Sequence, residues 1–346
     1  MSGTTDEALD RLLDDGRARA AAIDPSHARL WEAVAAATEG GKRFRPALVT
    51  VAHDALGGTC PTVAAQVGAA VELLHTALVI HDDVIDGDEV RRGRPNVVGT
   101  FSGQARAAGA TLVESTEFGR AAGILAGDLA LAGAIRAVAT CGAETGLVHR
   151  LLDLFDAALH TTAAGELSDV RFSLHAGSAT LVESLAMEEQ KTSAYSFALP
   201  LQAGAVLAGA DDPTVARLGE AGLLLGGAFQ LVDDLIGVFG DPALTGKSTT
   251  SDLRTRKQTP LLIHASSTSS WDEIRGYVGR DLTTEELIQT RRLLVLAGSR
   301  RYVEDLAEAH LIGARTVLSA LGIPGELVPD VTADLSMLGD IEEVAA

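Results

Sequence analysis

Aromatic and basic residues are scarce in this sequence. The first shortage restricts the fold class, and the second restricts the ligands that the protein can bind. Aromatic residues make up 4% of the 346 residues, and there are 10 prolines. A chain rich in Ala and Leu and poor in these residues favours helix over strand. The 28 Lys and Arg residues face 47 Asp and Glu residues, which gives a formal net charge of −19. That charge argues against nucleic-acid binding, because phosphate backbones are held by excess positive charge.

Cysteine and long apolar runs are also scarce. Cys60 and Cys141 lie far apart, without a CxxC pair or a His-Cys spacing. Neither a zinc site nor a disulfide framework is indicated, and a cytoplasmic location is expected. The N-terminal segment "MSGTTDEALDRLLDDGRARA" has no apolar core of the kind that a secretory signal needs. No apolar run reaches the roughly 18 to 20 residues needed to span a bilayer, so we expect no stable membrane insertion.

Apolar residues recur at helical spacing along much of the chain, and strand-like alternation is nearly absent. The helical stretches are 9–23, 61–83, 118–139, 146–167, 214–240 and 303–321. Polar, Gly-containing breaks fall at 40–41, 91–111, 240–259 and 266–270. We therefore predict an all-α fold with a single domain over residues 1–346, in which 333–346 form a flexible acidic tail.

An acid-rich motif, "HDDVID", follows the apolar run "LLHTALVI". Asp82 and Asp86 are four residues apart, so a helix places them on one face with about 6 Å of axial rise between them. Carboxylates this close repel one another unless a cation lies beside them, and Mg²⁺ suits such a pair. An isolated motif of this kind is more often a solvated helix end, but the apolar helix before it favours the metal site. Asp83 belongs to the same motif.

A second acid pair, Asp233 and Asp234 in "FQLVDDLIGVFGD", also ends an apolar helical run. Two such helix ends are expected to face each other across a helical bundle and to hold metal ions between them. The fifth position of this second motif is Gly237, not an acid. We therefore expect it to be the weaker metal clamp.

The few basic residues cluster in short motifs. These are Lys42, Arg43 and Arg45 in "GGKRFRP", Arg91 and Arg92 in "VRRGRP", Lys191 beside Thr192 in "EEQKTSAYSF", and Lys247, Arg254 and Lys257 in "LTGKSTTSDLRTRKQTP". Each motif alone is typical of surface charge. Together, and accompanied by paired acids, they indicate clamps for diphosphate groups, while apolar helix faces remain for a hydrocarbon.

The motifs resemble those of the trans-polyprenyl diphosphate synthases, the chain-elongating isoprenoid enzymes that include farnesyl and geranylgeranyl diphosphate synthases. The resemblance covers about residues 40–259, with "GGKRFRP", "HDDVIDGDEVRRGRP", "GDLALAGA", "KTSAYSF", "FQLVDDLIGVFGD" and "TGKSTTSDL" in the expected order. It implies an all-α bundle around a deep central cavity, usually in a homodimer. It also implies the Mg²⁺-dependent condensation of isopentenyl diphosphate with an allylic diphosphate.

The resemblance assigns roles to individual residues. Asp82, Asp86 and Asp233 match the Mg²⁺ ligands, for three ions per active site, and Asp83 and Asp234 support them. The positions on the diphosphate of isopentenyl diphosphate are Lys42, Arg45, His75 and Arg92. Those on the allylic diphosphate are Arg91, Lys191, Thr192, Gln230, Lys247 and Lys257. The expected catalytic residues are the five Asp residues and Lys191, whereas His81 is interpreted as a structural histidine at the helix end.

Several positions depart from the family pattern. Gly237 replaces a third Asp, Glu166 stands where a Gln is common, and the segment between Lys247 and Lys257 lacks its usual Pro and Gly. Ala77 and Leu78 lie where aromatic side chains stop growth at fifteen carbons in some family members. Because both are smaller, we predict a product of about twenty carbons or longer, of the geranylgeranyl type.

Two alternatives stay open at this stage. A class I terpene cyclase shares the acid-rich helix end. Such a cyclase usually also carries an Asn/Ser/Glu triad, which is not found in this sequence. It does not need a cluster of basic residues for a second diphosphate. A non-catalytic or regulatory subunit of a heteromeric prenyl synthase is supported only by Gly237 and the altered loop.

Overall fold

The computed structural model of the chain describes residues 4–41, 43–174, 179–240 and 250–324. Helices dominate this part of the chain, which confirms the predicted all-α class. The chain divides into two compact units, Met1–Asp156 with Pro200–Val215, and Ala157–Leu199 with Ala216–Ala346. A single domain over the whole chain stays a prediction. The acidic tail predicted at 333–346 lies outside the described residues.

The first unit contains the following elements within its described part: α1 (Thr5–Ala21), α2 (Pro25–Thr38), α3 (Phe44–Ala55), α4 (Pro61–Asp86), β1 (Val90–Arg91), β2 (Arg94–Pro95), α5 (Val97–Ala107) and α6 (Leu112–Ala139). Three helices have residues in both units: α7 (Thr145–Leu174), α9 (Leu199–Leu207) and α10 (Asp212–Phe239). The second unit adds α8 (Leu181–Glu188), a π-helix (Glu189–Ala198), α11 (Ser251–Thr255), α12 (Pro260–Ser266), α13 (Trp271–Ile274), a 3₁₀-helix (Arg275–Tyr277), α14 (Thr284–Leu296) and α15 (Ser299–Ala320).

Local sequence signals account for where these helices begin. A threonine followed three residues later by a glutamate forms a capping box at the start of α1, α6, α8 and α14. In each box the threonine hydroxyl accepts a bond from a backbone N–H while the glutamate bonds back to the threonine N–H. The first helical residue of α2, α4 and α12 is proline, which has no N–H to leave unsatisfied.

Glycines in α6 let this helix approach α4 closely. A Cβ atom added at Gly123 would collide with the Val84 side chain, and one added at Gly127 would collide with the His81 ring. Either methyl group would force the half-buried Val84 or His81 side chain of α4 to shift. The small residues of α6 are therefore a packing requirement that holds α4 in place.

The segment 91–111, expected from the sequence to be a loop, is largely ordered structure. It contains the end of a two-stranded antiparallel hairpin, in which Arg91 pairs with Arg94, followed by helix α5. Arg92 and Gly93 form the turn, with φ of +53° and +72°. Positive φ at both central residues is what a two-residue hairpin turn requires. The prediction of an unstructured break was wrong here because strands this short leave no alternation to detect.

In the second unit, apolar residues of α10 form part of a buried hydrophobic core. Leu231, Leu235 and Ile236 of α10 belong to the same hydrophobic cluster as Leu253 of α11 and Leu261 of α12. This cluster fixes α10 and the elements after it against one another.

Helices α4, α6 and α10 are each long and apolar enough to cross a membrane, judged by length and composition. The expectation that no segment reaches that length is therefore corrected. It failed because scattered small and polar residues interrupt the runs without lowering their mean hydropathy. Within the most apolar window of α4, 72% of the residues are buried inside the protein, and the share for α10 is 67%.

Candidate active site

The first acid motif occupies the last turn of α4. Asp82, Asp83 and Asp86 lie in that turn, and the helix ends at Gly87, whose φ of +73° suits glycine. Asp83 is buried, and burial raises its pKa to about 6, although the nearby Arg91 guanidinium opposes the rise. The C-terminal end of a helix is unfavourable for negative charge. Acids at this end of the helix therefore need nearby positive charge, and the Mg²⁺ ions predicted for Asp82 and Asp86 stay a prediction.

Arg91 supplies part of that positive charge. Its Nε donates to Asp83 Oδ1 at 2.8 Å, and its Nη2 donates to Asp82 Oδ2 at 3.1 Å. The hairpin that follows α4 folds the arginine back over the acids from which the chain has just come. Arg91 and the first acid motif thus form one charge cluster.

Arg92 points to a different partner. Its Nη1 donates to the Glu39 carbonyl oxygen at 2.9 Å, and its guanidinium lies against Gly40 and Gly41. A Cβ atom on either glycine would come within 3.3 Å of this guanidinium. The glycine turn of "GGKRFRP" is therefore shaped to receive Arg92.

Arg45 and His75 are the other described residues that were predicted, with Arg92, to bind the diphosphate of isopentenyl diphosphate. Arg45 is 9% exposed, and its guanidinium lies 4.4 Å from the centre of the Phe44 ring. Burial comes first among the causes that hold the pKa of His75 well below its ordinary value, followed by the positive charges of Arg45 and Arg91. Arg92 and Arg43 act in the same direction. Arg45, His75 and Arg92, predicted to share one diphosphate, are thus brought into one electrostatic neighbourhood.

His81 and the chain-length position Ala77 lie on the face of α4 that meets α6. His81 Nε2 is 3.4 Å from Asp128 Oδ1, and its ring packs on Gly127. These contacts fit the structural interpretation of this histidine. Ala77 lies four residues before His81 and four after Leu73, which contacts Gly133, so Ala77 shares this face. Ala77 is fully buried and Leu78 is half-buried.

The second acid pair lies near the end of α10, in the second unit. Asp234 is 1% exposed, and its Oδ1 accepts a hydrogen bond from Gln230 Nε2 at 3.2 Å. Its Oδ2 accepts no hydrogen bond from any N–H or hydroxyl among the described residues. Asp233 is half-buried beside it. The expectation that this pair faces the first motif stays a prediction.

Lys191 lies in the π-helix and is held by acids from α7. Its Nζ is 2.6 Å from Asp169 Oδ2 and 3.0 Å from Glu166 Oε2. Gly165 allows α7 to approach the π-helix, because a Cβ there would collide with the Lys191 backbone. The π-helical geometry is rare and is often found at functional sites. Thr192 follows Lys191 in this element.

Lys257 is also surrounded by carboxylates. Burial alone would lower its pKa, but the charges of Asp234 and Asp252 raise it well above the ordinary value, with Glu188 adding to the effect. Glu188 is buried beside Asp234, and burial followed by the Asp234 charge raises the pKa of Glu188.

Sequence reasoning missed three of these acids. Asp169 and Glu188 were not singled out, and Asp252 appeared only inside a basic motif. The i, i+3 spacing of Glu166 and Asp169 on a helix would have indicated that both reach one partner. Two predicted diphosphate-binding residues, Lys42 and Lys247, lie outside the described residues.

Comparison with known proteins identifies the family. The family model described as polyprenyl synthetase matches residues 27–292. The chain belongs to the polyprenyl synthetase family. A member of this family from Aeropyrum pernix, named geranylfarnesyl diphosphate synthase, is 33% identical over 285 residues and is matched over 81% of this chain and 83% of its own. The (2E,6E)-farnesyl diphosphate synthase of Mycobacterium bovis is 34% identical, with 82% and 75% covered.

A solved polyprenyl synthetase also shares the fold. The geranylgeranyl pyrophosphate synthase of Corynebacterium glutamicum, in complex with isoprenyl diphosphate and magnesium, superposes with a TM-score of 0.85 at 29% identity, and 95% of each chain is covered. Family membership confirms the prediction that this chain is a chain-elongating prenyltransferase. Neither the cyclase nor the regulatory-subunit alternative is favoured.

Proposed function

We propose that this chain condenses isopentenyl diphosphate with an allylic diphosphate, in the presence of Mg²⁺, to give a product of about twenty carbons or longer. The observation that carries the proposal is the arrangement around the end of α4. Acids in its last turn meet Arg91, and further positive charge, from Arg45 and Arg92, acts on the neighbouring His75. A protein that ionised a single diphosphate would have no use for that further charge.

The carboxylates of this chain fit Mg²⁺, and three ions per active site are proposed. Mg²⁺ takes few protein carboxylates and completes its octahedron with water and substrate phosphate. Asp82 and Asp86 at the end of α4, and Asp233 in α10, would hold the ions. The described residues contain no cluster of three or more His, Cys, Asp or Glu side chains already arranged as a metal cage.

The Mg²⁺ ions, when bound, supply positive charge that stabilises the departing diphosphate. Arg91, Lys191 and Lys257 would neutralise the remaining oxygens of the allylic diphosphate, with Thr192 and Gln230 as polar contacts. Arg45, His75 and Arg92 would hold isopentenyl diphosphate. Burial and the surrounding arginines keep His75 neutral, so it can donate one hydrogen bond without adding charge.

The reaction follows from this distribution of charge. The allylic C–O bond breaks, its electron pair leaves with the diphosphate, and an allylic cation remains. The double bond of isopentenyl diphosphate attacks that cation and forms the new C–C bond. A proton is then lost to the released diphosphate, which restores a double bond. No side chain is required as a nucleophile.

The proposed product length rests on the small side chains before the first acid motif. Ala77 and Leu78 leave more room than an aromatic residue would, and the named relatives include both a farnesyl and a geranylfarnesyl synthase. Ala77→Phe is expected to shorten the product toward fifteen carbons. Because Ala77 faces α6, Leu78→Phe should be compared with it, and the melting temperature of each should be measured. If both variants fold and make the wild-type product, the chain-length limit lies elsewhere.

A homodimer and a cytoplasmic location are also proposed. One face of α6 exposes Phe118, Ile124 and Leu125, which suits a second copy of the chain. The free thiols of Cys60 and Cys141 and the high net negative charge support a reduced compartment.

Turnover by the purified chain alone tests the proposed function. The wild-type protein should consume isopentenyl diphosphate when an allylic diphosphate and Mg²⁺ are supplied, and Asp82→Ala should not. A volatile hydrocarbon formed without isopentenyl diphosphate would indicate a cyclase. Activity that appears only after a second protein is added would indicate a regulatory subunit.

A further inference from the structure

Arg43 occupies a backbone position that its own chemistry does not favour. Its φ is +48°, in the left-handed region that residues other than glycine seldom adopt. Arg43 is also the N-cap of α3, where its side chain makes no capping hydrogen bond and its positive charge lies at the positive end of the helix dipole. Local preferences are broken here in several ways, so contacts from elsewhere in the fold must stabilise this residue.

The strongest of these contacts comes from a buried carboxylate on α4. Arg43 Nη1 donates to Glu72 Oε1 at 3.1 Å, and only 7% of the Glu72 side chain is exposed. A weaker contact joins Arg43 Nε to the exposed Asp6 carboxylate at 3.9 Å. The second carboxylate oxygen of Glu72 is buried and accepts no hydrogen bond within the part of the chain that the structure describes. Among those residues, Arg43 is therefore the main counter-charge of Glu72.

Glu72 lies on the face of α4 that receives the first turn of α3. A Cβ atom added at Gly68 would lie 3.3 Å from Pro46 Cβ, so α3 packs closely on α4 at this level. Glu72 is four residues after Gly68, and His75 is seven residues after it, which places all of them on one face of the helix. The ion pair of Arg43 with Glu72 therefore joins the two helices between the Gly68 contact and His75.

The first turn of α3 also carries a residue proposed to bind isopentenyl diphosphate. Arg45 lies in that turn, two residues after Arg43. Burial first, and then positive charges that include those of Arg45 and Arg43, hold the pKa of His75 well below its ordinary value. These side chains therefore share one neighbourhood. Because Glu72 already offsets the charge of Arg43, that guanidinium is a poor anchor for a further anion.

We infer that Arg43 is a positioning residue, whose ion pair with Glu72 fixes the first turn of α3 on α4. Arg45, in that turn, is thereby held beside His75, and both bind the diphosphate of isopentenyl diphosphate. The inference rests on the proposed function and deepens it. It also separates the cations of "GGKRFRP" by role, because Arg43 serves the packing of the motif and Arg45 serves the substrate.

Glu72→Gln tests the inference, because the two possible roles of Arg43 predict opposite results. If Arg43 positions α3, loss of the Glu72 charge should raise the KM for isopentenyl diphosphate on the order of tenfold and leave the KM for the allylic diphosphate nearly unchanged. If Arg43 were a diphosphate ligand, its release from the carboxylate should lower the KM for isopentenyl diphosphate. Glu32→Gln, at an exposed acid of α2 in the same unit, is the matched control and should change neither KM.

Variants of Arg43 complete the experiment. Arg43→Lys keeps the charge beside Glu72 and should stay close to the wild type. Arg43→Gln leaves a buried carboxylate unpaired, so its melting temperature is measured before its kinetics. The double variant Arg43→Gln with Glu72→Gln should raise the KM for isopentenyl diphosphate no more than the more affected single variant does, because both substitutions remove the same ion pair. The double variant buries no unpaired charge, and it decides if a single variant does not fold.

The inference is overturned by an unchanged or lower KM for isopentenyl diphosphate in folded Glu72→Gln, by equal increases in both KM values, or by additive effects in the double variant. Calorimetric binding of isopentenyl diphosphate separates this inference from the proposed function. If the wild type binds isopentenyl diphosphate with the predicted dependence on Glu72 but never condenses it with an allylic diphosphate, the proposed function fails while the inference stands.

Discussion

Two adjacent arginines, Arg91 and Arg92, take different partners because a two-residue turn begins between them. Arg91 is the last residue of β1 and contacts the acids of α4, while Arg92 adopts positive φ and turns toward the Gly40 backbone. The family resemblance had assigned the two arginines to different diphosphates. It could not show how the backbone separates neighbouring side chains, since that depends on a turn with no strand signal around it.

Replacement of Arg92 tests its separate role. Arg92→Lys keeps the charge but loses the planar fork that spans the glycine turn. We expect the KM for isopentenyl diphosphate to rise on the order of tenfold, while the KM for the allylic diphosphate changes little. Steady-state kinetics with each substrate varied in turn measures both. Arg94→Lys, in the same hairpin but exposed, is the control; equal increases in the two KM values would contradict the assignment.

Glu166 is a residue at which this chain departs from its family, and the structure gives the departure a consequence. Its carboxylate lies 3.0 Å from Lys191 Nζ and competes with diphosphate for that ammonium group. Glu166→Gln should therefore lower the KM for the allylic diphosphate, on the order of threefold to tenfold. Glu189→Gln, an exposed neighbour of the same charge, should leave that KM unchanged. An unaltered or higher KM in Glu166→Gln would show that the carboxylate assists binding.

At the scale of helices, the packing of α4 on α6 depends on glycine. Gly127→Ala would drive a methyl group into His81 and should lower the free energy of unfolding by about 1–3 kcal/mol. Gly103→Ala in α5, where nothing lies within 4 Å of the added Cβ, should instead stabilise the protein by about 0.5–1 kcal/mol. Chemical denaturation of both variants measures the difference. Equal effects at the two positions would mean that the α4–α6 contact is looser than described.

The capping box of α14 makes part of the stability depend on pH. The Arg280 hydrogen bonds, followed by the Thr283 backbone N–H, lower the pKa of Glu286 to about 2 from an ordinary value of 4.5. A lowered carboxyl pKa stabilises the fold above the unfolded value, and that stabilisation is lost as pH falls toward the folded value. Glu286→Gln should therefore melt below wild type at pH 7, with a difference that shrinks between about pH 4.5 and pH 2. Glu285→Gln is the control, and a difference independent of pH would rule out this linkage.

Helices were predicted correctly where apolar residues recur at helical spacing over a long stretch of sequence. The stretch predicted at 61–83 became α4, and that at 214–240 became α10, with bounds shifted by a few residues. The π-helix could not be predicted, because it contains residues that an α-helix accepts equally well. Tertiary contacts surround it, since Gly165 of α7 and Gly226 of α10 lie close against it at Lys191 and Ser193.

At the scale of the whole molecule, the proposed homodimer depends on an exposed apolar face of α6. Small residues on one of its faces pack against α4, and the other face exposes Phe118, Ile124 and Leu125. Ile124→Glu should convert a dimer into a monomer, measured by light scattering after size exclusion. Ile312→Glu, on an equally exposed position of α15, should leave the mass unchanged. A monomeric wild type would contradict the proposed homodimer.

The residue types of the site could be predicted from the sequence, whereas the contacts between those residues could not. The order of motifs identified the residue types, because acids for Mg²⁺ and cations for diphosphate leave a recognisable pattern. Lys191 pairs with Asp169, and Asp234 acts electrostatically on Lys257, although the partners are distant in sequence; no local pattern predicts such pairs.

Incorporation of labelled isopentenyl diphosphate into a lengthened product tests the central claim most directly. The purified protein is incubated with the label, an allylic diphosphate and Mg²⁺, and the product is sized. We predict labelled prenyl diphosphate of about twenty carbons or longer, formed only with Mg²⁺ and abolished in Asp82→Ala. Loss of the allylic diphosphate without incorporation of the label would contradict the account.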